Sequence, residues 1–408
     1  MTTRPPLVLL LGSLCAFALA ISACGQDDPS SLTVAPDTVS PDAATPDTAS
    51  PDTATLDTAA PDTDAPDTVP AEADVPEARP RVVIDTDLGG EGKGKTGAYS
   101  DPDDIQSLVR AVHYSDALDI EGIISTHGPG LADPDLIREW IRRTDVDHLR
   151  AQGYTDLMTE DELLAAVKTG TRDLGGPGEG RSTEGSRHII ARAHAGTADD
   201  PLWILAWGSL ATVAQALHDD PSIAPKIRLY SIGDYNTDVN LAARDFVRRV
   251  LDDHPEMWWI ENGVLPLRSR STYRGVFDGG DQSGEWDPET FVERHIRDHG
   301  TTAQGEFSDK LGDVFPGGLG EEEALKEGDS PSMLYLLSPR FGDVGDLDDP
   351  TQPSWGGRFR QADPQYPNYY IDLDCPTPEE CAATINRHRV DFLSHWRDRW
   401  DRYDTPNE

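Results

Sequence analysis

Asp85 and Asp87 stand on either side of Thr86 at the end of a short apolar run, Arg81 to Ile84. In an extended strand residues i and i+2 share a face, so both carboxylates can be aimed at one spot. Gly89 and Gly90 then open a loop, and Asp101-Pro102-Asp103-Asp104 closes it. Asp101 suits a helix N-cap and Pro102 the first helical position. Ile105, Leu108, Val109 and Val112 follow at i, i+3, i+4 and i+7, the apolar stripe of a buried helix. A strand end and a helix start thus bring Asp85, Asp87, Asp103 and Asp104 together. Left alone these acids repel. A hard cation with oxygen ligands is the simplest remedy, and Ca²⁺ suits a carboxylate-rich site. The plainer alternative is a helix cap beside a polar turn, which gives the acids at both ends of the loop no shared purpose.

The elements that would hold these acids alternate along the chain. Ile120–Thr126 reads as a strand ending in the polar turn His127-Gly128-Pro129-Gly130, and Leu131–Arg143 as a helix with Leu136, Ile137, Trp140 and Ile141 on its apolar face. Ser186–Ala195 is a helix, Leu202–Trp207 a buried strand, and Leu210–Leu217 a helix. Ile227–Ile232 is a strand ending at Gly233-Asp234-Tyr235-Asn236, and Met257–Ile260 another. Such alternation predicts an α/β fold with an open, mainly parallel sheet flanked by helices. Ligands on these sheets bind beyond the carboxyl ends of the strands. Asp85 and Asp87, His127, Trp207 to Ser209, Asp234 and Asn236 would all gather at that edge. The stretch Leu267–Glu327 is rich in Gly, Asp and Arg and reads as loops and helices over the site.

Composition narrows the function. The chain has 408 residues, a formal net charge of −39 and a pI near 4.4. Nucleic-acid binding needs a basic footprint and is excluded; so is electrostatic docking on an anionic membrane. An acidic cleft holding a cation and a neutral or cationic small molecule fits. Residues 1–24 read as an export signal, with Arg4 ahead of the apolar run Leu7–Ala20. Ile21-Ser22-Ala23-Cys24 resembles a bacterial lipobox, in which the cysteine is lipidated. An exported bacterial lipoprotein is the expectation, touching the membrane only through that anchor, with its domain in the periplasm or outside the cell. Residues 25–78 repeat Pro-Asp-Thr, as at Pro46-Asp47-Thr48 and Pro51-Asp52-Thr53. With almost no large apolar side chains they read as a disordered, semi-extended linker, leaving 79–408 as the folded domain. Cys375 and Cys381, an isolated pair in an exported chain, suit a disulfide better than a zinc site.

The sequence also carries a family resemblance. Asp85-Thr86-Asp87 with a following glycine, then Asp103-Asp104, resembles the opening motif of the inosine-uridine nucleoside hydrolases. The longer runs V-I-D-T-D, D-P-D-D-I-Q-S-L-V-R and D-I-E-G-I-I-S-T resemble a bacterial branch, the cellulose-binding, nucleoside-hydrolase-like family. L-W-I-L-A-W-G-S-L-A-T, Lys326–Ser332 and Pro353–Phe359 extend the likeness over about residues 80 to 400. One departure is the insertion between Gly89 and Asp101, where the family has a few residues. The resemblance implies Ca²⁺ held by Asp87, Asp104, Asp329 and the backbone carbonyl of Trp207, with Asp85 supporting those ligands. It implies that Asp87 takes a proton from the attacking water and that Asp103 binds sugar hydroxyls. His127, Asp234 and Asn236 are candidate substrate contacts. A second departure is Gly328, where several nucleoside hydrolases have the histidine that protonates the leaving base. The implied activity is hydrolysis of N-glycosyl or related glycosidic bonds. The alternative is a surface protein that binds carbohydrate in the same cleft without turnover, for which Trp355, Tyr366, Tyr369 and Tyr370 are candidate sugar contacts.

Two other motifs compete and fail. Gly89–Thr96 matches G-x-x-x-x-G-K-T, but a phosphate loop needs a helix starting at its Lys-Thr, and here Gly97, Ser100 and Pro102 interrupt. Asp85-Thr86-Asp87 also resembles the D-x-D of haloacid-dehalogenase-type phosphatases, which leaves Asp103, Asp104 and Asp329 without a role.

Overall fold

Val82, Val83 and Ile84 are wholly buried because β1 (Arg81–Thr86) is covered on both faces. Val82 and Ile84 enter one apolar cluster with Leu108, Val112, Trp140 and Leu334. Val83 enters the other with Ile204, Ala206, Val213 and Val247. The alternation is the two-residue period of a strand, and burial on both faces is what helical layers on either side of a parallel sheet produce. The computed structural model of the protein describes residues 78–89, 102–127, 133–233, 235–264, 272–276, 283–300, 310–315 and 324–404. The expected signal peptide and Cys24 lie outside them, as does the linker apart from residue 78. Residue contacts divide the chain into Met1–Ala73 and Asp74–Glu408, and the described strands and helices lie in the second unit.

After β1 come α1 (Pro102–His113), β2 (Asp119–Ser125), α2 (Pro134–Thr144), α3 (Val146–Ala151), α4 (Glu160–Ala166), β3 (Val167–Thr169) and α5 (Glu184–Ala195). Then come β4 (Leu202–Ala206), α6 (Ala211–Asp219), β5 (Ile227–Ile232), α7 (Tyr235–Val239), α8 (Leu241–Asp253) and β6 (Trp258–Asn262). The C-terminal part adds α9 (Pro288–Phe291), α10 (Ser330–Gly342), β7 (Phe359–Gln361), β8 (Tyr369–Asp372), α11 (Pro378–Asn386) and α12 (Arg389–Trp400). The eight strands form one sheet in the order β3-β2-β1-β4-β5-β6-β8-β7. All neighbours pair parallel except β7 and β8. The chain builds outward from β1 through β2 to β3, then returns to the other side of β1 with β4. The reversal leaves a crevice between the carboxyl ends of β1 and β4, the usual ligand position in such sheets.

The long strands coincide closely with the apolar runs. Three short ones, β3, β7 and β8, go beyond the sequence expectation; at three, three and four residues they are too brief for a period to show. Leu131 lies outside the described residues. The helix after it begins at Pro134 because Asp133 caps it, its side chain accepting from Asp135 N and Leu136 N. The described parts of Leu267–Glu327 are short helical turns and α9. Trp355, Tyr366, Tyr369 and Tyr370 are 1, 5, 5 and 8 % exposed. Trp355 and Tyr370 pack into one apolar cluster and Tyr366 and Tyr369 into the other, with β8 carrying Tyr369 and Tyr370, and so buried they offer no platform to a sugar. Cys375 and Cys381 are joined by a disulfide, their Cα atoms 5.5 Å apart, which ties the turn after β8 to α11. Among the described residues no helix is long and apolar enough to cross a membrane.

Candidate metal centre

The carboxyl ends of β1, β2 and β4 are level. Asp85 pairs in register with Ile124 and Ala206. The ladder continues past the strands, with Thr126 N donating to Thr86 O and Trp207 N to Asp85 O, both at 2.8 Å. Asp87, His127 and Trp207 therefore leave the sheet side by side. Gly208 makes this possible: a Cβ there would lie 2.8 Å from Asp87 Cβ and 3.0 Å from Asp87 N, so a larger residue would push β4 away from β1.

Over this edge sit the acids. Asp103 and Asp104 occupy the first turn of α1, and Asp329 immediately precedes α10. One carboxylate oxygen from each of the three lies within 4.8 Å of the others. Two oxygens bound to one Ca²⁺ at its usual bond lengths are no more than about 5 Å apart, so the three can share an ion. Asp104 and Asp329 are each 2 % exposed. Burial drives the Asp329 carboxyl well above the usual carboxylate range; the charges of Asp103, Asp104 and Asp87 add to the rise and Lys326 opposes it. Asp329 Oδ2 is buried, and among the described residues no hydrogen-bond donor reaches it. Oxygen donors of this kind, buried and mutually repelling, fit a hard divalent cation.

Neighbouring side chains aim the acids. Thr86 Oγ1 donates to Asp104 Oδ1 and accepts from Leu88 N at 3.1 Å. Lys326 Nζ lies 3.2 Å from Asp103 Oδ1. Trp207 Nε1 donates to Ser332 Oγ at 2.8 Å, and Ser332 Oγ donates to Asp329 O at 2.8 Å. The indole beyond β4 is thereby tied to the start of α10.

The structure thus brings Asp103, Asp104 and Asp329 into one cluster, although Asp329 is far along the chain. Asp87 stands at its margin, buried and close enough for its charge to act on Asp329, but outside the group of three. Asp85 is wholly buried, its carboxyl pushed well up by desolvation, and neither oxygen meets a donor among the described residues. The Trp207 carbonyl accepts a 2.6 Å bond from Asn236 Nδ2, so Asn236 reaches the crevice through that carbonyl. His127 is half-buried at the end of β2, its carbonyl accepting from Ser209 Oγ at 2.5 Å. Asp101 and Asp234 lie outside the described residues. Sequence reasoning misses Thr86, which reads as a spacer between two acids, and Lys326, which reads as part of a motif. The hydroxyl between two aspartates is the available signal for the first. Nothing local marks the second, since its partner is far off in the chain.

The cellulose-binding Sde182, nucleoside hydrolase-like domain matches residues 81–359. The chain belongs to that family. The match runs from the first residue of β1 to the first of β7, and so contains all the acids above. Among solved structures, the chain resembles a nucleoside hydrolase-related hypothetical protein from Saccharophagus degradans that is associated with carbohydrate metabolism. The TM-score is 0.56 with 21 % identity, over 80 % of this chain and 72 % of that one, which shows a shared fold. Weaker likenesses include an inosine-guanosine nucleoside hydrolase, with TM-score 0.42 and 14 % identity over 79 % of this chain and 99 % of that one. A plant nucleoside hydrolase has TM-score 0.37 and 14 % identity over 77 % of this chain and 99 % of that one. No curated protein matches.

Proposed function

We propose that this protein is a Ca²⁺-dependent hydrolase of N-glycosyl, nucleoside-like or related glycosidic bonds, tethered to the bacterial surface through Cys24. The observation that carries the reading is the cluster of Asp103, Asp104 and Asp329 at the sheet's reversal point. Asp104 and Asp329 would hold the ion, with Asp87 and the Trp207 carbonyl completing the set. A bound divalent cation supplies Lewis-acid activation of water. Asp87, at the margin of the cluster, takes the proton from that water as general base. Asp103 binds vicinal sugar hydroxyls, and Asp85, buried beneath, supports the ligands. Positive charge develops on the sugar ring as a glycosidic bond breaks, and an acidic pocket favours it. Gly328 supplies no proton to a leaving group, and that step is left to His127, at the end of β2, or to another group. Asn236 is assigned to the substrate side of the same edge, and Asp234, outside the described residues, is assigned to substrate from its place in the sequence alone.

The test is a panel of nucleosides and glycosides offered to the purified protein with Ca²⁺ or with chelator. Release of a free base or a reducing sugar is expected in Ca²⁺ only, and Asp104→Asn should abolish it together with calcium binding while the fold survives. If calorimetry detects no calcium binding by the wild type, the reading is wrong.

A second reading has its own support. Tyr235 is 54 % exposed beside Asn236, at the carboxyl end of β5, and Gly328 stands where a leaving-group acid would be expected. A carbohydrate-binding protein using the same cleft without turnover accounts for both. Oligosaccharide binding by calorimetry, with no product released from any substrate, would favour it.

A further inference from the structure

Gln106, Ser107 and Arg110 come after Asp103 on α1 at i+3, i+4 and i+7 and so lie on its side of the helix. Each is buried without measurable exposure, and all reach one segment, Ala324–Ser330. Gln106 Oε1 accepts from Lys326 N at 2.7 Å and Glu327 N at 3.0 Å, while its Nε2 donates to Ala324 O at 3.0 Å. The hydroxyls of Ser107 and Ser330 are 2.9 Å apart. Arg110 Nε and Nη2 each donate to one Glu327 carboxylate oxygen at 2.6 Å, and Ser330 Oγ donates to Glu327 Oε1 at 2.8 Å. The Arg110 guanidinium lies 4.0 Å from the centre of the Trp396 ring, which blocks its retreat.

Glu327 has a φ of 37°, in the left-handed region where non-glycine residues are uncommon. Its surroundings hold it there. That turn separates Lys326, which meets Asp103, from Asp329, which joins the cluster. A fully desolvated ion pair is weak evidence for stability, because burial offsets most of its attraction. What a two-pronged arginine–carboxylate contact supplies is direction.

We propose that Gln106, Arg110 and Glu327 are positioning residues of the metal centre, resting on the metal reading above. One helix presents Asp103 and Asp104 at its start and, a turn or two on, grips the segment bearing Asp329. The pair Arg110–Glu327 and the Gln106 amide thereby set the spacing between carboxylates that come from distant parts of the domain's sequence. A mere core pair would contribute to folding and leave cation affinity untouched.

The test compares full-length wild type with Arg110→Met/Glu327→Leu and with Gln106→Met. Both replacements keep apolar volume in the core. The double Arg81→Met/Glu121→Leu is the control, removing ion pairs at the amino ends of β1 and β2, where Glu121 meets Arg81 Nε at 2.8 Å and Arg192 Nε at 2.5 Å. Thermal melts in chelator report folding, and calorimetry with CaCl₂ reports the Kd. Both site variants are expected to bind Ca²⁺ at least tenfold more weakly while folded, whereas the control shifts only the melting temperature. Should the double variant fail to fold, Gln106→Met decides by the same criterion. Folded site variants that bind within twofold of a calcium-binding wild type overturn the positioning role and leave the metal reading intact. A wild type that binds no calcium overturns both.

Discussion

Lys326 Nζ lies 3.2 Å from Asp103 Oδ1, which places an ammonium inside the acidic cluster. The side chains are 9 and 14 % exposed, so solvent screens the pair only in part. In the apo protein the lysine relieves repulsion among the carboxylates; with a cation bound, like charge opposes it. Replacing Lys326 by Met is therefore expected to do two opposite things. The melting temperature in chelator should fall. Calcium affinity should rise by about fivefold, from about 1 kcal/mol of relieved repulsion after allowing for screening. Calorimetry and melts with and without calcium measure both. Unchanged or weaker calcium binding would show that Lys326 does not act on the cation.

Much of this arrangement is legible in the chain. The β1 to α1 stretch announces itself because strand end, cap, proline and apolar stripe are all local signals. Thus Asp85, Asp87, Asp103 and Asp104 fall at one edge from the sequence alone. Asp329 joins them there only through family likeness, since no local pattern tells where a residue at the head of α10 lies relative to β1. Contacts that depend on tertiary geometry are beyond the reach of sequence: the indole of Trp207 on Ser332, the amide of Asn236 on the Trp207 carbonyl, and Arg110 on Glu327. Tyr369 and Tyr370 suggest sugar contacts in the sequence because composition carries no burial. They lie in β8, a strand too short to reveal a period and visible only once paired with β6.

Asp372 gives the protein a pH dependence separate from the metal centre. It is wholly buried at the end of β8. Its Oδ2 accepts from Gly263 N at 2.6 Å and its Oδ1 from Thr272 N at 2.7 Å. Burial outweighs these bonds and raises its pKa to about 6, against about 3.9 in the unfolded chain. The folded state therefore holds more protons between those values, and this group's contribution to stability falls as pH rises through that window. The full effect is about 3 kcal/mol. Asp372→Asn cannot ionise, so the stability difference between wild type and variant should shrink in the variant's favour from about pH 4 to about pH 7. Other titrating groups cancel in the subtraction. Denaturant melts across that range showing a constant difference would rule out the raised pKa.

The proposed lipid anchor rests on the lipobox-like Ile21-Ser22-Ala23-Cys24. In the native host, Cys24→Ser is expected to move the protein from the membrane fraction to the soluble one without changing its melting temperature. A variant that still sediments with membranes after a salt wash would mean that another feature holds it there.

Trp207 separates the role of a side chain from that of its carbonyl. The indole is 1 % exposed and its Nε1 donates to Ser332 Oγ at 2.8 Å. Phenylalanine in its place removes that donor and some packing volume, at a cost of about 1–3 kcal/mol. The main-chain carbonyl is unchanged, and so is its 2.6 Å bond from Asn236. Ser332 also keeps its own bond to the Asp329 carbonyl. Trp207→Phe should thus be measurably less stable in urea yet bind Ca²⁺ within twofold of wild type per folded molecule. The two measurements can be made on one preparation. A tenfold loss of calcium affinity with little loss of stability would reverse the assignment, making the indole and its grip on Ser332 the feature that places Asp329.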